Sequence, residues 1–268
     1  MTGSRLLQIF CLFVFAGLGP LARAALITNG DFSSGLSGYT TVGAVSTATS
    51  YTSTEPSTSF GSGPYLPGTI LPTTGTNVSQ LRATKNGPAT NLIESTLGLS
   101  GGSLQALSDS LTHPYAHYGL RGGAAMQTSF NGSGTLTFDW NFWREDFAPY
   151  NDLSFFTISG PGITGSEVIL LSDVNGSAES LALTTERGPG GGTGWQGFSY
   201  TLPGAGVYTI GFGVVNGRTG RVPSYLHIDN IQASVLVPEA SPALTAALLV
   251  ISGFGLTMRR RRVPAIRA

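Results

Sequence analysis

Residues 135–143 alternate strictly: Leu136, Phe138, Trp140 and Phe142 fall on one face, Thr135, Thr137, Asp139 and Asn141 on the other. A period of two belongs to a strand with one buried face. Residues 153–159, 167–171, 197–202, 207–215 and 225–236 are further apolar-rich runs separated by Gly, Pro and Asn, and each predicts a strand. Strands at this spacing without βα alternation predict a mainly β fold, an antiparallel, jelly-roll-like β-sandwich. Two short helices interrupt the pattern. Leu92, Ile93, Leu97 and Leu99 form one apolar set, ended by Gly98 and Gly101-Gly102. Leu104, Leu107 and Leu111 then share a helix face, with Ser103 placed to cap it. Residues 26–32 predict a short strand entering an Asn29-Gly30 turn, and the Ser/Thr/Gly/Pro-rich stretch 33–80 predicts long loops around one or two strands.

The two ends do not alternate. Residues 6–18 form an apolar run behind Arg5, followed by Ala22-Arg23-Ala24, so a signal helix over 1–24 is expected, cleaved by signal peptidase before Ala25. Residues 243–258 are apolar around the whole helical circumference, which predicts a transmembrane helix. These sixteen residues would span about 24 Å, slightly short of a ~30 Å hydrocarbon core; snorkelling and local thinning cover the difference. Arg259, Arg260, Arg261 and Arg262 are costly to translocate and should stay cytoplasmic, leaving residues 25–236 outside the inner membrane as the exported domain.

A short motif, Val237-Pro238-Glu239-Ala240-Ser241, precedes that helix and its basic stop. The arrangement over 237–268 resembles the bacterial PEP-CTERM sorting tail, although Ala240 stands where the motif has its second proline and Pro242 follows instead. The body is similar to one group of PEP-CTERM exported proteins in Leu97-Gly98-Leu99, Gly122-Gly123-Ala124-Ala125, Phe138-Asp139-Trp140-Asn141-Phe142, Gly194-Trp195-Gln196-Gly197-Phe198 and Leu226-His227-Ile228-Asp229-Asn230-Ile231. Asn29-Gly30-Asp31-Phe32 resembles the opening of galactose-binding-like and other carbohydrate-binding β-sandwich modules. The resemblance implies an exosortase substrate, held transiently in the inner membrane and destined for the cell surface or extracellular polysaccharide matrix. It implies no biochemical activity.

Composition sharpens this picture in two ways. Cys11 lies in the signal segment and is the only cysteine, so the mature body has no disulfide or thiolate metal site. The whole chain is formally neutral, but residues 25–238 carry seven basic and thirteen acidic side chains, a net charge of −6. An acidic body without a Lys/Arg cluster argues against a nucleic-acid partner.

Candidate chemistry is sparse, and no catalytic residue is assigned. Asp139, Glu145, Asp146, Asn151 and Asp152 crowd oxygen ligands around one predicted loop, a candidate Ca²⁺ site set against a plain solvated turn. His113 and His117 share i, i+4 spacing, but Pro114 follows where a zinc-peptidase motif has Glu, which favours a loop. Glu145 with Asp152, or Glu167 with Asp173, could form a glycosidase pair if they flanked a cleft. The Gly-rich stretch 188–194 lacks the Lys of a phosphate loop and reads as a turn. The sequons at Asn77, Asn131 and Asn175 also read as turns. Tyr39, Tyr51, Tyr65, Trp143, Tyr150 and Trp195 fall outside the clearest buried sets, and Trp143 and Trp195 are the candidate glycan platform. The expectation is a non-enzymatic structural or adhesive protein associated with polysaccharide, with no cofactor except a possible Ca²⁺. The alternative is a glycoside hydrolase-like enzyme acting on the same matrix.

Overall fold

The computed structural model describes residues 23–25, 27–52, 69–84, 86–111, 119–144, 150–174, 192–217 and 223–235. The sorting motif from Val237 to Ser241, the arginines 259–262, and most of the signal segment including Ala22 lie outside them, as do Glu145, Asp146, His113, His117 and Tyr65. Ala24 and Ala25 fall in a three-residue strand, β1 (Arg23–Ala25).

Ten further strands and two helices follow: β2 (Thr40–Val42), β3 (Ala44–Ala48), β4 (Tyr51–Thr52), β5 (Thr69–Ile70), β6 (Val78–Arg82), α1 (Thr90–Thr96), α2 (Ser103–Ser110), β7 (Leu120–Arg144), β8 (Leu153–Ser159), β9 (Glu167–Asp173), β10 (Gln196–Gly217) and β11 (Ser224–Val235). The architecture follows from the two long strands. β7 and β10 run antiparallel along almost their whole length, with a break in register between Leu202 and Gly206 opposite Gly132–Gly134. On one side of the break β10 continues to β8 and β9, and β7 takes β2. On the other side β7 pairs with β11, which leads to β6 and β3. The ribbon thus belongs to two half-sheets, β2-β7-β10-β8-β9 and β3-β6-β11-β7-β10.

The half-sheets face each other. Phe138 of the second packs 5.0 Å from Phe156 and 4.9 Å, edge-on, from Phe212 of the first. Leu81, Leu226 and Ile228 join Met126, Ile210 and Val214 in the same buried cluster. This is the expected antiparallel sandwich: the inward positions of residues 135–143 are those the alternation selected. The remaining differences are local. Residues 203–206 read as a turn between two strands, yet β10 passes through them as a bulged crossover. Buried Tyr208 pins it there, its hydroxyl lying 3.0 Å from the Pro161 carbonyl and 2.7 Å from the Gly204 carbonyl while receiving the Gly204 N–H at 3.0 Å. Asn131 lies within β7 and Asn77 leads into β6, so neither sequon forms the expected turn. Residues 28–31 are turn, as expected at Asn29-Gly30, but Ile27 and Thr28 before it are not in a strand.

The helices cover the outer face of the first half-sheet. Ile93, Leu97 and Leu104 pack with Ala125, Leu153, Phe155 and Val215. α1 approaches closely because Gly211 lies beneath it: a Cβ there would come within 2.5 Å of Leu97 Cδ2. Ser103 does not cap α2. Buried Glu94 of α1 does so from outside the helix, its carboxylate accepting the Gly102 N–H at 2.9 Å and the Leu104 N–H at 2.8 Å. Among the described residues no helix is long and apolar enough to cross a membrane.

Candidate functional site

The outer face of the second half-sheet is built differently. Its outward positions follow from register: Trp143 opposite Tyr225, Asn141 opposite His227, and Asp139 opposite Asp229 on β7 and β11. On β6, Arg82 stands beside Tyr225 and Gln80 beside His227. On β10, Gly197 stands beside Asp139. Aromatic and polar side chains thus gather where the first half-sheet carries helices.

The aromatic end is roofed by β4 and β5, which pair Tyr51 with Ile70. Ile70, Val78 and Trp143 form a small buried cluster, with Tyr51, Trp195 and Tyr225 packed against it. The Trp143 and His227 rings meet edge-to-face at 4.8 Å, and Tyr51 lies 5.5 Å from His227. Burial pushes the Tyr51 hydroxyl above its ordinary value. Gln80 Nε2 lies 3.0 Å from His227 Nε2; the amide donates and the imidazole accepts, which puts the ring proton on Nδ1. The Arg82 guanidinium sits 5.7 Å from the centre of the Tyr225 ring, within cation–π range.

Trp195 is positioned by the two residues before it. Thr193 continues the sheet as a false strand: its N–H donates to the Phe142 carbonyl at 3.0 Å, and its hydroxyl accepts the Phe142 N–H at 3.0 Å. The same hydroxyl donates to the Gly194 carbonyl at 2.8 Å. Gly192 lies flat against the Trp143 indole, where a Cβ would approach Cδ1 to 2.6 Å. These contacts decide which tryptophan is accessible. Trp143 is 4 % exposed and forms the floor of the cluster, so it cannot offer a free ring face as a platform. Trp195, packed at the edge of the cluster, is only half-buried.

The polar end is a pair of facing carboxylates. Asp229 is buried, and both of its oxygens are occupied. Oδ2 accepts from Thr73 N at 2.6 Å and Thr74 N at 2.9 Å and lies 3.0 Å from Thr73 Oγ1, whose single proton it shares with Asp139; Oδ1 accepts from Asn230 N at 2.7 Å. Burial raises its pKa above the ordinary carboxylate value, against the opposing pull of those N–H donors. Asp139 Oδ2 lies 2.7 Å from Thr73 Oγ1 and 3.1 Å from Asn230 Nδ2, while Oδ1 has no hydrogen-bond partner among the described residues. Asn230 reaches Asp139 because of a β-bulge. One extra residue enters β11 between Asp229 and Gln232, and Asn230 takes a φ of 55°, so consecutive side chains converge on one carboxylate. Gln232 in turn donates to Asn230 Oδ1. Among the described residues only Asp139 Oδ1 lies within 4 Å of a Cβ built on Gly197, at 4.0 Å, so the position over Gly197 beside that oxygen is open.

Of the predicted calcium group, Glu145 and Asp146 lie outside the described residues, and Asp139 and Asp152 do not come together. Asp139 pairs in register with Asp229, whereas Asp152 hydrogen-bonds to Ser224, five residues earlier on β11 and thus about 17 Å away along the strand. Asp139 faces outward and Asp152 faces the interior, so the two cannot contact one ion. Asp152 instead ties the half-sheets together, accepting from Gly217 N at 2.9 Å, Ser224 Oγ at 2.7 Å and, with its amide oriented to satisfy both neighbours, Asn216 at 2.9 Å. Asn151 Nδ2 donates to Asp173 Oδ2 at 3.3 Å in the same buried end. Among the described residues no three His, Cys, Asp or Glu side chains group as metal ligands. Glu167 and Asp173 are no glycosidase pair either: they terminate one strand, about 20 Å apart. Tyr39 is half-buried against the core, stacked on Phe32 at 5.1 Å. Asp229 and Asn230 entered from sequence only within the Leu226–Ile231 motif and Thr73 not at all, and none was named as a site residue. The alternation of His227 and Asp229 within an apolar strand was the available signal for the first of them.

No family model and no curated protein sequence matches the chain. Solved structures do. One is TmCBM61, determined in complex with β-1,4-galactotriose, at 11 % identity and a TM-score of 0.39 over 81 % of this chain and all of that one. A carbohydrate-binding module from the β-sandwich superfamily, described for promiscuous specificity, matches at 14 % identity and a TM-score of 0.31, over 80 % of this chain and 62 % of that one. The enzymatically active domain of bacteriophage CBA120 tailspike protein 4 matches at 12 % identity and a TM-score of 0.36, over 80 % of this chain but 21 % of that one.

Proposed function

We propose that the chain is an exported, non-catalytic protein whose β-sandwich binds glycan on the outer face of the second half-sheet, with a structural or adhesive role at the cell surface or in extracellular polysaccharide. The observation that carries this reading is the juxtaposition of half-buried Trp195, the open position over Gly197 and the unpartnered Asp139 Oδ1. An aromatic face beside a carboxylate oxygen with free lone pairs matches a pyranose, which has an apolar face and a rim of hydroxyl donors.

The same geometry favours binding over hydrolysis. A glycosidase needs two carboxyl groups that both reach the substrate. Among the described residues, Asp229 is buried with both oxygens engaged, which leaves Asp139 as the carboxylate open on this face. Export and sorting rest on the ends of the chain: the cleavable signal before Ala25, then the Val237–Ser241 motif, apolar 243–258 and the arginines. Signal peptidase and exosortase are the proposed processing partners, with the inner membrane a temporary anchor.

Glycan-array binding by the full chain in detergent, with and without Trp195→Ala, tests the binding reading. Binding without turnover that Trp195→Ala reduces at least tenfold is expected; hydrolysis of any bound glycan would overturn it. For sorting, intact-mass analysis of fractionated cells should find a species ending near Ala240, and a full-length membrane-retained species alone would refute processing.

A further inference from the structure

We infer that this site selects neutral glycans and rejects acidic polysaccharides, an inference that rests on the glycan-binding reading above. Asp139 and Asp229 stand directly opposite each other on neighbouring strands, bridged by one Thr73 hydroxyl that lies 2.7 Å from the first and 3.0 Å from the second. Such a pair normally repels. Here the backbone N–H groups of Thr73, Thr74 and Asn230 hold Asp229, and the Asn230 amide steadies Asp139. These donors are turned onto Asp229 and onto Asp139 Oδ2. What faces the open position over Gly197 is Asp139 Oδ1, an acceptor carrying negative charge. A sugar hydroxyl can donate to it; a uronate, sulfate or phosphate oxygen cannot.

Within the described residues, compensating cations are distant. Among the described residues the cation on this face is Arg82, which aligns with Tyr225, four residues along β11 from Asp229 and thus about 13 Å away. It is also engaged over the Tyr225 ring. The exported body as a whole carries −6, so the wider field repels polyanions as well. An anionic group placed near Asp139 therefore meets repulsion that no described cation relieves, strengthened by the low-dielectric protein beneath it and weakened by salt.

The test compares ligands that differ in charge alone. Affinities of the full chain are measured for polyuronates such as alginate and pectate and for their carboxyl-reduced, neutral derivatives, in low salt and at about 0.5 M NaCl, where the Debye length falls to a few Å. Neutral derivatives are expected to bind at least tenfold more tightly in low salt, with the gap narrowing in high salt. Asp139→Asn should raise the ratio of acidic to neutral affinity several-fold, with near-UV circular dichroism showing that the variant is folded. Equal or tighter binding of the acidic forms, or a ratio unmoved by both salt and Asp139→Asn, overturns the charge selection while leaving glycan binding intact. If neither form of any polysaccharide binds, the glycan reading itself fails, and this inference with it.

Discussion

Thr193→Val isolates the device that aims Trp195. Valine has nearly the shape of threonine, so the buried site keeps its packing and loses only the hydroxyl. That hydroxyl accepts the Phe142 N–H at 3.0 Å and donates to the Gly194 carbonyl at 2.8 Å. Removing it leaves a buried backbone donor with no acceptor, a loss of about 1–3 kcal/mol. The central expectation of about 2 kcal/mol corresponds to a fall in Tm of about 4–8 °C for a domain of this size. Thr193→Ser, which keeps the hydroxyl, should lose less than half as much. Urea unfolding monitored by tryptophan fluorescence reads the stability, and the m-value should not change. The hydroxyl also fixes the peptide just before Trp195, so glycan affinity measured well below Tm should fall several-fold. A Thr193→Val protein within about 0.5 kcal/mol of wild type would show that the false strand bears no load. Clear destabilisation with unchanged affinity would instead break the link between Thr193 and the orientation of Trp195.

Three further perturbations probe the frame. Tyr208→Phe keeps the buried ring but strands the Gly204 N–H and leaves the Pro161 and Gly204 carbonyls short of a donor; a loss of about 1–2 kcal/mol in chemical denaturation is expected, and none would dismiss the crossover pin. Glu94→Ala removes the acceptor for the first amides of α2, for about 1–2 kcal/mol and faster hydrogen exchange at Gly102 and Leu104; unchanged protection there would count against capping from α1. Burial holds the Asp229 carboxyl above its ordinary 3.8, so the native state binds that proton more tightly than the unfolded chain does. Its contribution is fully present below 3.8 and is lost as pH rises through the native value. The stability difference between wild type and Asp229→Asn should therefore fall as pH is raised toward neutrality, and a flat or rising difference would contradict the direction.

The fold was legible where burial has a period. Leu136, Phe138, Trp140 and Phe142 point inward because alternate residues of a strand share a face, and that rule needs no knowledge of the partner strand. It was less legible at 203–206. Pro and Gly there signal a stop locally, but Tyr208 and the facing residues of β7 carry the strand through, and both are tertiary effects. Ser103 failed as a cap for a similar reason. The acceptor that α2 uses is Glu94, from the preceding helix, a geometry that no pattern within α2 records.

The candidate site marks the limit more sharply. Asp139 was singled out because acidic neighbours follow it in sequence, yet its true partners are Asp229, ninety residues on, and Thr73, sixty-six residues back. Sequence proximity grouped it with Asp152, but the strand ladder separates those two by about 17 Å. The same ladder brings Trp143, His227 and Tyr51 into one cluster and leaves Trp195 at its accessible flank. The bulge adds a step that alternation alone would misplace: with strict period two, Asn230 would face the core, and only its left-handed backbone turns the amide outward onto Asp139. An aromatic pattern can therefore nominate a platform, but the accessible ring is decided by a glycine against Trp143 and a threonine behind Trp195. Substitution at Gly192 or Thr193, which touch no proposed ligand, should therefore lower glycan affinity several-fold.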